Sequence, residues 1–253
     1  MEFSIFIIGL IFGSFLNVLI YRLPLNISLI NPKRSFCPNC KEEIKWYENI
    51  PFLAYFILKG KCSNCKQQIS AIYPFVEILT AIITLLLYIK LNFTNDFFII
   101  LILFYILITL SFIDLKYKAV PDYLLIIIII SSLFYSEFLY TEALLFAGAF
   151  VLLELFITFY IQNIKYKITK DESLLTQKSL GEGDIPIVAV IGGVLGIKLG
   201  IFAIVLGSFF AIIPIIYNLL QNKVEENSSI EIPFIPFLSS GFFCIFMFSE
   251  VIG

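Results

Sequence analysis

Eight long apolar runs, separated by polar connections, limit what this chain can fold into. They lie at Phe3–Tyr21, Ile72–Leu91, Phe97–Ile113, Tyr123–Tyr140, Ala143–Ile161, Ile185–Gly196, Leu199–Leu220 and Ile235–Ile252. A bilayer core takes roughly 20 apolar residues per helix, and Ile185–Gly196 is short by that measure. With no water to satisfy backbone groups, such segments must be helices. The chain is 60% hydrophobic and 14% charged, against roughly 45–50% and about 25% in soluble domains. The reading is an all-α polytopic membrane protein of about eight transmembrane helices, with no nucleic-acid partner. The first run has no basic stretch before it and no small-residue cleavage site after it, so it reads as an uncleaved helix rather than a signal peptide. Gly9, Gly13 and Ser14 within it predict close packing on a neighbouring helix. Asn17 is expected to hydrogen-bond to that neighbour.

Orientation follows from the basic residues. Of the 17 Lys and Arg residues, all but Lys90 and Lys198 fall on odd-numbered connections. Positive charge marks the cytoplasmic side, so those connections, with the four-cysteine segment, Asp114 and Asp184, are expected on the cytoplasmic side of the membrane and both ends of the chain outside.

The first connection, Pro24–Ser70, carries Cys37-Pro-Asn-Cys40 and Cys62-Ser-Asn-Cys65, with residues 41–61 between the pairs. Two such pairs predict a tetrahedral zinc site of four thiolates. Disulfides or a redox pair are the other readings, and a reducing cytoplasm disfavours the first. Four thiolates leave no open coordination position, so the ion is expected to fold a small domain, not to catalyse. The domain plan is 1–23 for the first helix, 24–70 for a zinc-ribbon-like insertion, and 71–253 for a seven-helix core. Cys244, in an apolar run, reads as a small core residue.

The chain contains no histidine. Ser-His-Asp, Cys-His and H-E-x-x-H chemistry are therefore excluded. Acid–base work falls to carboxylates, Lys, Tyr or Cys. Asp114 closes the third apolar run; Asp122 opens the fourth, after Val120-Pro121. Asp184 opens the sixth, in Gly181-Glu182-Gly183-Asp184, after a polar loop expected over Gln162–Ser179. Ionisable residues at membrane depth are functional candidates by default. Two carboxylates sharing one proton can serve as base and acid on a water. Asp122 and Asp184 also suit helix N-caps. Glu77 and Glu154 are further candidates, each read first as satisfying a polar neighbour within the bundle.

Together these residues resemble the type IV prepilin peptidases. The resemblance rests on Gly13-Ser14-Phe15-Leu16-Asn17-Val18 through Tyr21-Arg22-Leu23-Pro24, the cysteine pairs, Tyr73-Pro74-x-x-Glu77, Asp114 with Val120-Pro121-Asp122, Gly181-x-Gly183-Asp184, and Ile232-Pro233-Phe234-x-Pro236-Phe237. It implies a G-x-G-D membrane aspartic endopeptidase with Asp114 and Asp184 catalytic, and Gly181, Gly183 and Asp122 in support. It implies prepilin or pseudopilin substrates cut at the cytoplasmic face, and N-methylation of the new terminus with S-adenosylmethionine. A peptidase without methyl transfer is the alternative. A proton-relaying transporter is a third reading, and the internal repeat it predicts is not seen. Where the family usually carries a lysine two residues after the motif aspartate, this chain has Pro186.

Overall fold

The computed structural model describes residues 1–32, 34–170, 181, 183–220 and 233–252. The helices in chain order are α1 (Glu2–Arg22), α2 (Leu53–Ile57), α3 (Ile72–Leu91), α4 (Asn95–Tyr117), α5 (Asp122–Ser132), α6 (Tyr140–Phe159), α7 (Tyr166–Thr169), α8 (Asp184–Leu220) and α9 (Ile235–Ile252). Among the described residues there is no β-strand, only two isolated bridges, Phe36 with Glu43 and Lys61 with Gln68. Among the described residues, five helical stretches are long and apolar enough to cross a membrane, and α5 and α9 are shorter apolar helices. The protein is thus multi-pass. The chain forms two compact units, Met1–Pro121 and Asp122–Gly253.

In the first unit α1, α3 and α4 pack against one another. Lipid tails are as apolar as leucine, so association needs close backbone approach. Gly9 and Gly13 provide it, as expected: a Cβ at either would lie 2.6 Å from the Cα of Ala81 or Glu77 on α3. Asn17 finds its partner there too, its Nδ2 donating to the Tyr73 carbonyl at 3.0 Å. The Thr84 and Tyr105 hydroxyls, 2.8 Å apart, join α3 to α4. α4 starts on the Thr94 hydroxyl, which accepts the Phe97 N–H at 3.2 Å. It ends where left-handed Lys118 donates its N–H to the Asp114 carbonyl. Buried Arg22 closes α1, its guanidinium donating to the carbonyls of Ser28, Leu29, Pro32 and Arg34.

In the second unit α8 is central, touching α5, α6 and α9. Gly192 and Gly200 leave room for the Phe146 ring of α6, and Gly207 lies against the backbone of Phe237 and Leu238. The two apolar runs expected on either side of residue 197 form the two limbs of α8, broken at Gly196, whose φ of 75° and ψ of 178° are not helical. Only glycine takes that conformation without strain.

Two boundaries differ from expectation. The fourth apolar run reaches Tyr140 in sequence, but α5 stops at Ser132. Ser131 and Ser132 turn their hydroxyls back onto the Ile128 and Ile129 carbonyls, a bond that competes with helix continuation. The polar run expected as a loop from Gln162 is helical as far as Thr169, first as a π-turn over Tyr160–Lys165 and then as α7. Ile, Tyr, Lys and Gln all tolerate a helix. The left-handed Lys170 ends it; residues 171–180 lie outside the described set.

Candidate functional site

Among the described residues, two aspartates are buried at helix ends. Asp114, in the last turn of α4 in the first unit, is 7% exposed; Asp184, the first residue of α8 in the second, is 6% exposed. Asp122, at the start of α5, is exposed, so its side chain is solvated as a helix-start aspartate commonly is. Around Asp184 the chain turns tightly, its N–H donating to the Gly181 carbonyl at 2.9 Å. A Cβ on Gly181 would stand 3.2 Å from Asp184 Oδ2. Glycine there leaves the carboxylate its space. Glu182 of the same motif lies outside the described residues, as does Ile232 of the last motif. Glu154, on α6, is half-buried.

The helix macrodipoles place opposite partial charges beside the two aspartates. Asp184 sits at the positive N-terminal end of α8, and Asp114 near the negative C-terminal end of α4.

The four cysteines gather in the first unit, all Sγ atoms within 4.8 Å of one another. Four sulfurs each about 2.3 Å from a tetrahedral ion stand about 3.8 Å apart, and Cys37 and Cys65 Sγ are 3.9 Å apart. The residues therefore fit a four-thiolate metal ion. The two knuckles are built alike. Cys37 N–H donates to the Glu42 carbonyl and Lys41 N–H to that of Cys37; Cys62 and Lys66 repeat the pattern with Gln67 and Cys62. Lys41 and Lys66 both take φ of 61°. Hydrogen bonds at Cys65, chiefly from Gln67 and Asn39, pull its thiol down to about 6, while burial pushes that of Cys37 up to about 11.

Two residues not singled out in the sequence belong to this centre. Asn39 Nδ2 donates to Cys65 Sγ at 3.6 Å, and Asn64 Nδ2 to Cys40 Sγ at 3.8 Å. Each asparagine reaches across to the other knuckle. The signal lay in the shared Cys-x-Asn-Cys spelling of both pairs.

Glu77, in α3, is 8% exposed, and its Oε2 accepts the Phe52 N–H at 2.7 Å. Phe52 sits at a φ of 61°, an outlier for a bulky residue. The bond ties the short α2 segment to α3.

Residues 7–91 match the bacterial peptidase A24 N-terminal domain, and residues 101–216 the type IV leader peptidase family. A prepilin leader peptidase/N-methyltransferase of Legionella pneumophila is 33% identical over 274 residues, covering 95% of this chain and 89% of the relative. One of Vibrio cholerae serotype O1 is 34% identical over 217 residues, covering 82% of each. One of Bacillus subtilis strain 168 is 28% identical over 258 residues, covering 98% and 94%. No solved structure matches the chain. On matches that run across both units and most of its length, the chain belongs to the type IV leader peptidase family.

Proposed function

We propose that this protein is a membrane aspartic endopeptidase that removes the leader of type IV prepilins or pseudopilins at the cytoplasmic membrane face. The observation that carries the reading is the pair of buried aspartates at helix ends in a chain of this family. Asp184 takes the role of general base and Asp114 that of general acid, in keeping with the opposite ends of the helix dipoles they occupy. The base takes a proton from water as its oxygen attacks the scissile carbonyl. The acid gives a proton to the leaving amide nitrogen as the C–N bond breaks. Gly181 and Gly183 shape the turn before Asp184, and exposed Asp122 has a supporting role.

The four-thiolate ion is zinc, held by Cys37, Cys40, Cys62 and Cys65, with a structural role. The relatives' names carry an N-methyltransferase activity, and the same activity fits here, on the newly exposed terminal amine. S-adenosylmethionine, when bound, would supply the electrophilic methyl group for that amine. The protein is a multi-pass component of the bacterial inner membrane with the cysteine module and both aspartates on the cytoplasmic side, supported by the placement of lysine and arginine.

Leader cleavage of a purified prepilin tests the central reading. Asp114→Asn and Asp184→Asn are expected to lose cleavage by 10³-fold or more, and Asp122→Asn to retain part of it. Normal cleavage by Asp184→Asn would remove the reading.

A further inference from the structure

The first unit contains a cavity of about 350 Å³ between the ends of α1 and α3 and the cysteine module. That volume falls in the range of small-molecule sites, roughly 300–1,000 Å³. Four carboxylates line it, Glu42, Glu43, Glu48 and Glu77, with Arg22 as the one cation in the lining. Arg22 already donates to four backbone carbonyls. Among the described residues no lysine or arginine forms an ion pair with Glu77, whose carboxylate is held by a backbone N–H beside Ser14 and Asn17. A buried carboxylate without a counter-charge is costly. The cavity wall also carries the rings of Tyr21, Phe36, Tyr55 and Tyr73. Aromatic faces attract a cation and stack on a planar base.

We propose that this cavity binds the methyl donor, S-adenosylmethionine, with its sulfonium set against Glu77 and its adenine among the rings. The assignment rests on the methyltransferase reading above and adds the location and the charge logic to it. The donor is a sulfonium cation, and its product, S-adenosylhomocysteine, is a neutral thioether. A carboxylate at the sulfur therefore favours donor over product and helps the spent molecule leave.

The test is equilibrium dialysis of labelled S-adenosylmethionine and S-adenosylhomocysteine against the full-length, metal-loaded protein in detergent. Methyl transfer to a cleaved pilin is measured on the same preparation. Wild type is expected to bind the donor at least tenfold more tightly than the product. Glu77→Gln keeps an acceptor for the Phe52 N–H but loses the charge. It is expected to bring the two affinities within about threefold, with product affinity unchanged. Glu77→Asp is expected to restore part of the preference. If Glu77→Gln keeps the tenfold preference while wild type transfers methyl, the donor binds elsewhere and only the site is overturned. Equal loss of both ligands in Glu77→Gln also overturns the sulfonium assignment. If wild type cleaves leaders but neither binds donor nor transfers methyl, the methyltransferase reading fails and the site with it.

Discussion

Gly13→Ala isolates the close approach of α1 to α3. A Cβ at residue 13 would lie 2.6 Å from Glu77 Cα, 3.1 Å from its carbonyl oxygen and 3.2 Å from Thr80 Cβ. Ordinary carbon–carbon contact is about 3.5–4.0 Å, so the helices must part by about 1 Å. Backbone atoms cannot rotate aside as a side chain can. Overpacking of this kind costs about 1–3 kcal/mol, against a helix-propensity gain of about 1 kcal/mol for alanine over glycine. Gly148→Ala, in α6, receives the same propensity gain and meets nothing within 4 Å. The difference between the two variants therefore removes the propensity contribution. Gly13→Ala is expected to be less stable than Gly148→Ala by about 1–3 kcal/mol. Denaturant titration in mixed micelles, followed by helix circular dichroism, measures it. Variants within about 0.5 kcal/mol of each other would refute the argument that backbone approach holds this pair.

The remaining predictions concern the two centres and one buried oxygen. Asn39→Ala and Asn64→Ala each remove an amide donor from a cysteine sulfur and are expected to lower metal affinity about 10–100-fold; competition with a chelator reads this, and unchanged exchange refutes it. Gly181→Ala places a methyl 3.2 Å from Asp184 Oδ2. It is expected to slow leader cleavage by roughly 2–10-fold, the worth of a carboxylate turned about 30° from its rotamer. Equal rates would show that the turn has slack. Glu142 Oε2 is buried with no hydrogen-bond partner among the described residues. Glu142→Met is expected to be neutral or to stabilise by up to about 1–3 kcal/mol, and a clear fall in thermal stability would reveal a partner.

Much of this architecture can be read from apolar run length alone, because lipid leaves the backbone few options. Gly9, Gly13 and Asn17 were legible as an interface because small and polar residues on one membrane helix need a partner. The end of α5 was not. Tyr135, Phe138 and Leu139 continue the apolar run while the chain turns, with Phe138 N–H donating to the Tyr135 carbonyl. Composition registers what lipid accepts, not where a serine ends a helix. At the candidate site, residue types and motif order marked Asp114 and Asp184, but the exposure that sets Asp122 apart is a property of packing. The Glu77 bond to Phe52 was illegible too, since residue 52 adopts a backbone conformation its side chain disfavours.

The break at Gly196 bears on bilayer thickness. From Asp184 to Leu195 the first limb of α8 is about 18 Å long at 1.5 Å per residue, and Lys198, two residues past the break, is exposed. If that lysine lies at an interface, as charged side chains near helix ends do, the limb begins there. A hydrocarbon core is about 30 Å thick, so a limb hung from that interface stops about 12 Å short of the opposite one. Asp184 is then reached only where lipid thins or water dips inward. Hydrophobic mismatch of this kind costs fractions of a kcal/mol per ångström. Acyl-chain length thereby becomes a variable that tunes access to this carboxylate without changing a residue of the protein.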